Sequence, residues 1–148
     1  MDETIKDDSN TVGEFSLVKV VGEGSFGSVY LAKHLATNAY FAIKKPKRDS
    51  QGKPSQTYSS LFAKEASILK QLSHRNVIRY YKTVEEEGEC HVVLEFVSGI
   101  DLGKVISKQR VPFSEREAAE IMKNILNGLT HVHSKGIVHR DLKPSRFC

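Results

Sequence analysis

Between positions 22 and 29 the chain reads Gly22-Glu23-Gly24-Ser25-Phe26-Gly27-Ser28-Val29, a G-x-G-x-x-G-x-V run. Glycines at that spacing let backbone amides come close to phosphate oxygens, because no Cβ stands in the way. Alone, such a run is more often an ordinary turn. A dinucleotide fingerprint needs the glycines to open a helix, and Ser28-Val29-Tyr30-Leu31 reads as a strand, which removes that alternative. Seventeen residues after Gly27, Phe41-Ala42-Ile43-Lys44 sets a lysine on a further strand, its ammonium in reach of phosphates held under the glycine loop. Glu65, four residues after Leu61 and three before Ile68, projects from the apolar face of a predicted helix and needs a cationic partner. Lys44 answers that need, since two inward-pointing charges are each costly unless paired. Later, His139-Arg140-Asp141-Leu142-Lys143-Pro144 puts a carboxylate on a loop directly after a long helix, placed to accept a hydroxyl proton.

The elements that must position these groups follow from periodicity. Residues 1–14 read as an acidic arm, and Phe15–Val21 alternates as a strand with Phe15, Leu17 and Val20 inward. Ser28–Ala32 and Tyr40–Lys44 read as two more strands, with a polar loop from Pro46 to Ser60 after them. Leu61–Leu72 carries apolar residues at 61, 68, 69 and 72, with Phe62 beside them, and is a predicted helix. Val77–Val84 and His91–Val97 are the next strands, joined by the turn Glu85-Glu86-Glu87-Gly88. Ser114 and Glu117 form a capping box ahead of Ala118, Ile121, Ile125, Leu129 and Val132, a helical stripe that Gly136 ends.

Composition bounds the rest. The 148 residues carry 22 Lys and Arg against 18 Asp and Glu, a net charge of +4, with 39% hydrophobic and 27% charged residues. That is an ordinary globular composition, and the charge is too mild and uneven to argue for nucleic acid. The basic run Lys44, Lys45, Pro46, Lys47, Arg48 reads as a solvated loop rather than a nuclear-localisation or phosphate-backbone patch. Cys90 and Cys148 form no disulfide framework or metal pattern, and no signal-peptide core or membrane-length apolar run is present. A reducing compartment is expected, the cytoplasm or else the nucleus, with no membrane partner.

Taken jointly and in order, the glycine run, the Phe41–Lys44 strand, Glu65 and the His139–Pro144 loop resemble the eukaryotic protein kinase family. The resemblance extends from about Phe15 to Ser145, and Lys143 in the HRDLKP run is similar to serine/threonine kinases. Asn76-Val77-Ile78-Arg79-Tyr80-Tyr81 faintly resembles the mitogen-activated kinase-kinase-kinase group. The fold implied is α+β: a kinase N-lobe and hinge over residues 15–97, with a five-stranded antiparallel sheet plus one helix. Residues 98–148 would be the first helices of an incomplete C-lobe ending in the catalytic loop. The resemblance implies ATP as phosphoryl donor and a protein Ser or Thr hydroxyl as acceptor. The glycine loop from Gly22 to Val29 would cover the nucleotide. Val21, Val29 and Ala42 would roof the adenine, the backbone Glu95–Val97 would be the hinge, and Leu94 the gatekeeper. Asp101 would contact ribose, Lys44 would orient phosphates with Glu65 holding it, Asp141 would be the catalytic base and Lys143 would steady the transferred group. Leu69 and Tyr80 match the upper positions of the family's hydrophobic spine, and His139 its base.

The pattern then breaks. Five residues after Asp141, where the family motif has a magnesium-holding asparagine, stands Arg146, and a guanidinium repels a metal ion rather than binding it. No D-F-G segment follows, so both protein ligands for the family's Mg²⁺ are missing from this sequence and no metal-binding residue is assigned. ATP binding is expected to be weak or absent, and the chain inactive by itself. The helix stripe of Ile121, Ile125, Leu129 and Val132 is expected to lack its usual covering, at about 1.5–3 kcal/mol for each side chain left in water. The alternative reading is a non-catalytic binding or decoy module that engages a full-length kinase or its partners. Protein substrate and oligomeric state are not encoded in recognisable form.

Overall fold

The computed structural model describes residues 10–148. Two compact units result: one runs up to Lys70 and includes Tyr80–Phe96, the other comprises Gln71–Arg79 and Val97–Cys148.

The first unit is a sheet with one helix. Its strands are β1 (Thr11–Val12), β2 (Phe15–Glu23), β3 (Gly27–His34), β4 (Tyr40–Pro46), β5 (Tyr80–Glu86) and β6 (Glu89–Glu95). All pairings are antiparallel, in the order β1-β2-β3-β4-β6-β5. The sheet therefore has six strands rather than five, because Thr11 and Val12 pair with Ser16 and Phe15 and Val12 is 1% exposed. The arm expected over residues 1–14 is corrected accordingly: Asn10 donates to the Leu17 carbonyl at 2.6 Å, and Glu14 pairs with Lys82. The remainder of that expectation, residues 1–9, lies outside the described residues.

Two cores form on the sheet. Val12, Phe15, Leu17, Ala32, Phe41, Ile43 and Val93 make one, and Ala42, Phe62, Ala66, Val92 and Leu94 make the other, beneath α1 (Gln56–Leu69). Alternation along β4 explains the split, with Phe41 and Ile43 on one face and Ala42 on the other. In β2 the alternation fails after Leu17. Register shifts between Leu17 and Lys19, and between Val20 and Gly22, insert an extra residue each time, so Val20 is 45% exposed instead of inward.

Helix α1 begins earlier than its apolar residues suggest. Ser55 caps it, accepting from the Tyr58 amide at 3.4 Å, and the polar start Gln56–Ser60 is helix rather than loop. Its buried residues are Ser59, Phe62 and Ala66, spaced by three and four, while Leu61 is 42% exposed. The inward face is thus rotated from the one that Leu61 and Ile68 define. β5 and β6 meet in a two-residue turn with positive φ at Glu87 (52°) and Gly88 (78°), the twist that suits a tight hairpin.

The second unit contains α2 (Leu102–Lys108), α3 (Glu115–Ser134) and a 3₁₀ turn at Pro144–Arg146. α3 opens on the expected reciprocal capping box: the Glu117 amide donates to Ser114 Oγ at 3.2 Å and the Ser114 amide to Glu117 Oε2 at 2.8 Å. Gly136, at φ 70°, follows its end. Residues 77–79, expected in a strand, belong instead to the segment Gln71–Arg79 lying against α3. A Cβ at Gly128 would stand 2.8 Å from the Asn76 carbonyl oxygen, the Ser73 amide donates to His131 Nε2 at 3.2 Å, and the His74 and His131 rings stack 5.3 Å apart. The α3 stripe is consequently not left in water. Val132 is buried and Ile121, Ile125 and Leu129 are half-buried, whereas Met122 and Leu126 are the exposed apolar residues of this helix. Replacing Ser114 by Ala should lower stability by about 1 kcal/mol, read as a shifted denaturant midpoint.

His91 on β6 is buried beside Glu89, and burial, with the charges of Lys45 and Arg48 adding to it, pushes its imidazole down to about 4. A histidine kept neutral in the fold takes up a proton more readily when unfolded, so acid favours the unfolded chain. Between pH 7 and pH 4 the protein should lose on the order of 3 kcal/mol relative to a His91→Met variant, measured by urea unfolding at each pH.

Candidate functional site

The first unit assembles the glycine run, Lys44 and Glu65. β2 and β3 join through the run: Gly22 pairs with Val29 and Glu23 with Ser28, while Ser25 and Phe26 stand exposed at the tip. The Gly24 amide donates to the Gly27 carbonyl at 2.9 Å and closes the hairpin. The three glycines answer to different demands. A Cβ at Gly27 would collide with the Lys45 carbonyl oxygen and lie 2.7 Å from Phe62 Cζ, so packing alone requires glycine there. A Cβ at Gly22 or Gly24 would make only ordinary contacts, at 3.7 Å or more. Internal packing leaves those two glycines unexplained, and their bareness leaves room for an oxyanion to come close to the loop backbone, although the Gly24 amide itself is engaged by the Gly27 carbonyl.

Lys44 Nζ lies 2.6 Å from Glu65 Oε1 and 5.3 Å from the centre of the Phe62 ring. The pair joins β4 to α1 as expected, but the reason differs from the one the sequence offers. The side chains keep 25% and 39% of their exposure, so desolvation does not force them together. At that exposure the pair is worth at most about 1 kcal/mol, and what it fixes is the direction of the ammonium. Ala42 is buried opposite Leu94, which is 7% exposed, Val29 is half-buried, and Val21 sits at the second β2 bulge, 43% exposed. Glu95 ends β6, and Leu69 and Tyr80 pack against the core that contains Leu94. The basic run 44–48 is no solvated loop: Lys45 lies over the Tyr30 ring, and Arg48 pairs with Glu87 at 2.9 Å and Glu89 at 2.8 Å.

The second unit carries Val97, which is exposed, and Asp101, Asp141, Lys143 and Arg146. Asp101 caps α2, accepting from the Lys104 amide at 2.9 Å and pairing with Lys104 Nζ at 3.3 Å; these bonds hold its carboxyl below the ordinary range. The Leu102 amide donates to the Phe147 carbonyl at 2.8 Å, so the same helix start is closed from the C-terminal side as well. Arg140 takes a left-handed backbone, φ 68°, and the Asp141 amide donates to His139 Nδ1 at 3.2 Å. Asp141 Oδ2 accepts from Arg146 Nη2 at 2.6 Å and lies 3.6 Å from Lys143 Nζ. The Arg146 hydrogen bond first, and the positive charges of Lys143 and Arg146 with it, hold the Asp141 carboxyl below its usual range. Arg146 was visible in the sequence as a departure; its bond to Asp141 was not, since it depends on the turn at Pro144–Arg146. Tyr58 was missed because its stretch reads as loop, although an aromatic four residues before Phe62 is a helical signal.

A model of the protein kinase domain matches residues 15–147. CBL-interacting protein kinase 1 of Oryza sativa subsp. japonica is 34% identical over 137 residues, which is 92% of this chain and 29% of the relative. Calcium-dependent protein kinase 4 of Plasmodium berghei is 36% identical over 135 residues, 90% of this chain and 25% of the relative. Serine/threonine-protein kinase Nek5 of Mus musculus is 34% identical over 130 residues, 87% of this chain and 20% of the relative. The chain belongs to the protein kinase domain family, and it spans about a quarter of the length of these curated relatives.

Members of this family use ATP and Mg²⁺. The first unit fits the phosphate end of a nucleotide: two glycines that packing does not require, and an ammonium oriented by a carboxylate. The catalytic-loop residues do not fit Mg²⁺. The Asp141 oxygen nearest them is engaged by a guanidinium and an ammonium, and Arg146 brings a positive charge to the position where the family has a neutral oxygen donor. Among the described residues no three His, Cys, Asp or Glu side chains group so as to hold a metal ion, and no helix is long and apolar enough to cross a membrane.

Two variants separate the glycines. Gly27→Ala should destabilise the protein by about 1–3 kcal/mol through the clash with β4, whereas Gly24→Ala should stay within about 0.5 kcal/mol in the same denaturant titration. In the second unit, Arg146→Asn should let the Asp141 carboxyl titrate at a higher pH than in the unaltered chain, followed by its ¹³C carboxyl shift.

Proposed function

We propose that this chain is the nucleotide-binding lobe and catalytic loop of a serine/threonine protein kinase, with ATP as phosphoryl donor and protein Ser or Thr hydroxyls as acceptors. The observation that carries the reading is the Lys44–Glu65 pair at 2.6 Å, set between the strand and the helix that flank the glycine hairpin. Lys44 offers positive charge to phosphate oxygens, Glu65 keeps the ammonium from swinging into solvent, and the bare Gly22 and Gly24 let those oxygens come close to the loop backbone. Val21, Val29, Ala42 and Leu94 would contact the base, with the Glu95–Val97 backbone as its hydrogen-bonding edge and Asp101 toward the ribose. Asp141 is the group for accepting the hydroxyl proton, and Lys143, as in the HRDLKP loops of serine/threonine kinases, steadies the group in transfer. A cytoplasmic or nuclear setting belongs to the same proposal.

Arg146 sets this chain apart. A base hydrogen-bonded to a guanidinium has a lower proton affinity and a blocked lone pair, so Asp141 is a poor proton acceptor as it stands. With Arg146 in place the chain therefore does not transfer the phosphoryl group by itself, and with catalytic-loop residues that do not fit Mg²⁺ it binds nucleotide weakly. That contact also favours a second reading, a non-catalytic module that engages a full-length kinase or its partners.

Incubating the purified chain with ATP and a generic protein acceptor tests both. No phosphorylation is expected, together with a nucleotide affinity that falls at least tenfold in Lys44→Met. Transfer above background that Lys44→Met abolishes would overturn the inactivity and the second reading. Nucleotide binding indifferent to Lys44→Met would overturn the phosphate-binding role of Lys44.

A further inference from the structure

One face of α1 meets the glycine run and Lys44 together. Tyr58, Phe62 and Glu65 lie four and three residues apart, so they stand in a row along the helix. At the row's start, the Phe26 ring of the loop tip lies 6.0 Å from the Tyr58 ring, and the Phe26 carbonyl accepts from the Lys47 amide at 2.8 Å. At its end, Glu65 takes the Lys44 ammonium. Phe62 occupies the middle. Only 5% exposed, it is rooted in the core of Ala42, Ala66, Val92 and Leu94. Its Cζ edge fills the space that a Cβ on Gly27 would need, and its ring centre lies 5.3 Å from Lys44 Nζ, within cation–π range.

We propose that Phe62 is a positioning residue for phosphate binding: its ring seats the third glycine of the loop against β4 and holds the Lys44 ammonium on Glu65, so that loop and lysine keep one geometry set by α1. The ring adds an edge thin enough to lie beside a bare glycine and a π cloud that attracts the cation. Charge and backbone donors, which come from different strands, are thereby kept in register with each other. The inference rests on the reading of Lys44 as the phosphate-binding group, and the test separates the two.

The experiment compares the full chain with Phe62→Leu, Phe62→Met and, as a control in the same core, Ala66→Gly. Magnesium-free ATP and adenosine are titrated by NMR, and the rate of acylation of Lys44 is measured by mass spectrometry after brief labelling. In the Leu and Met variants ATP affinity should fall roughly fivefold with adenosine affinity unchanged, and Lys44 should label several times faster. Ala66→Gly should leave both the ATP-to-adenosine ratio and the Lys44 labelling as they are. Equal loss for ATP and adenosine, an effect of the same kind in Ala66→Gly, or unchanged labelling of Lys44 would overturn the proposal. If the unaltered chain binds ATP no better than adenosine, the phosphate-binding reading falls. The labelling rate then decides Phe62 by itself, faster labelling sustaining its hold on Lys44 and an unchanged rate refuting it.

Discussion

The ion pair between Lys44 and Glu65 joins β4 to α1, and a shift of either element by one residue would break it. Strand geometry would turn Lys44 to the opposite face, where Lys45 already lies over Tyr30. Rotation of the helix by one residue, about 100°, would carry Glu65 away from the strand. What holds that register is not the pair, whose exposed charges contribute little, but the apolar contacts beneath it. Phe62 and Ala66 from the helix meet Ala42, Val92 and Leu94 from the sheet. A weak, directional interaction is thus fixed by a strong, non-directional one, and the charge geometry follows from where the hydrophobic face of α1 lies.

The same division of labour governs the glycine loop at the start of β3. Gly27 is bound to its place by the Lys45 carbonyl and the Phe62 ring, while Gly22 and Gly24 are free of such pressure. The hairpin is therefore anchored at its third glycine and open at its first two. The anchor sets position, while the open part leaves its backbone approachable.

In the second unit a single side chain changes the chemical character of a loop. His139 and the left-handed Arg140 shape the approach to Asp141, and Lys143 stands 3.6 Å from it. Arg146 then closes on the same carboxylate oxygen. One oxygen of the Asp141 carboxylate is thereby engaged by two cations, and the excess positive charge of that cluster is what makes the position unsuited to a divalent cation.

The local sequence determined those features that depend on near neighbours. The capping box at Ser114 and Glu117, the end of α3 before Gly136 and the glycine hairpin in a strand context follow from residues a few positions apart, and each kinase signature is itself a short local run. Tertiary structure decided what depends on residues far apart in the chain. The bulges that expose Val20 and Val21 arise from the pairing of β2 with β3, and the sixth strand exists because Val12 finds a core to enter. The inward face of α1 was misread from Leu61 and Ile68 because hydrophobicity alone does not reveal that the sheet receives Ser59, Phe62 and Ala66. Arg146 was legible as an anomaly, but its hold on Asp141 required the turn that brings the two side chains together. Periodicity reports which residues share a face, whereas only packing determines which face is covered and which charges meet across it.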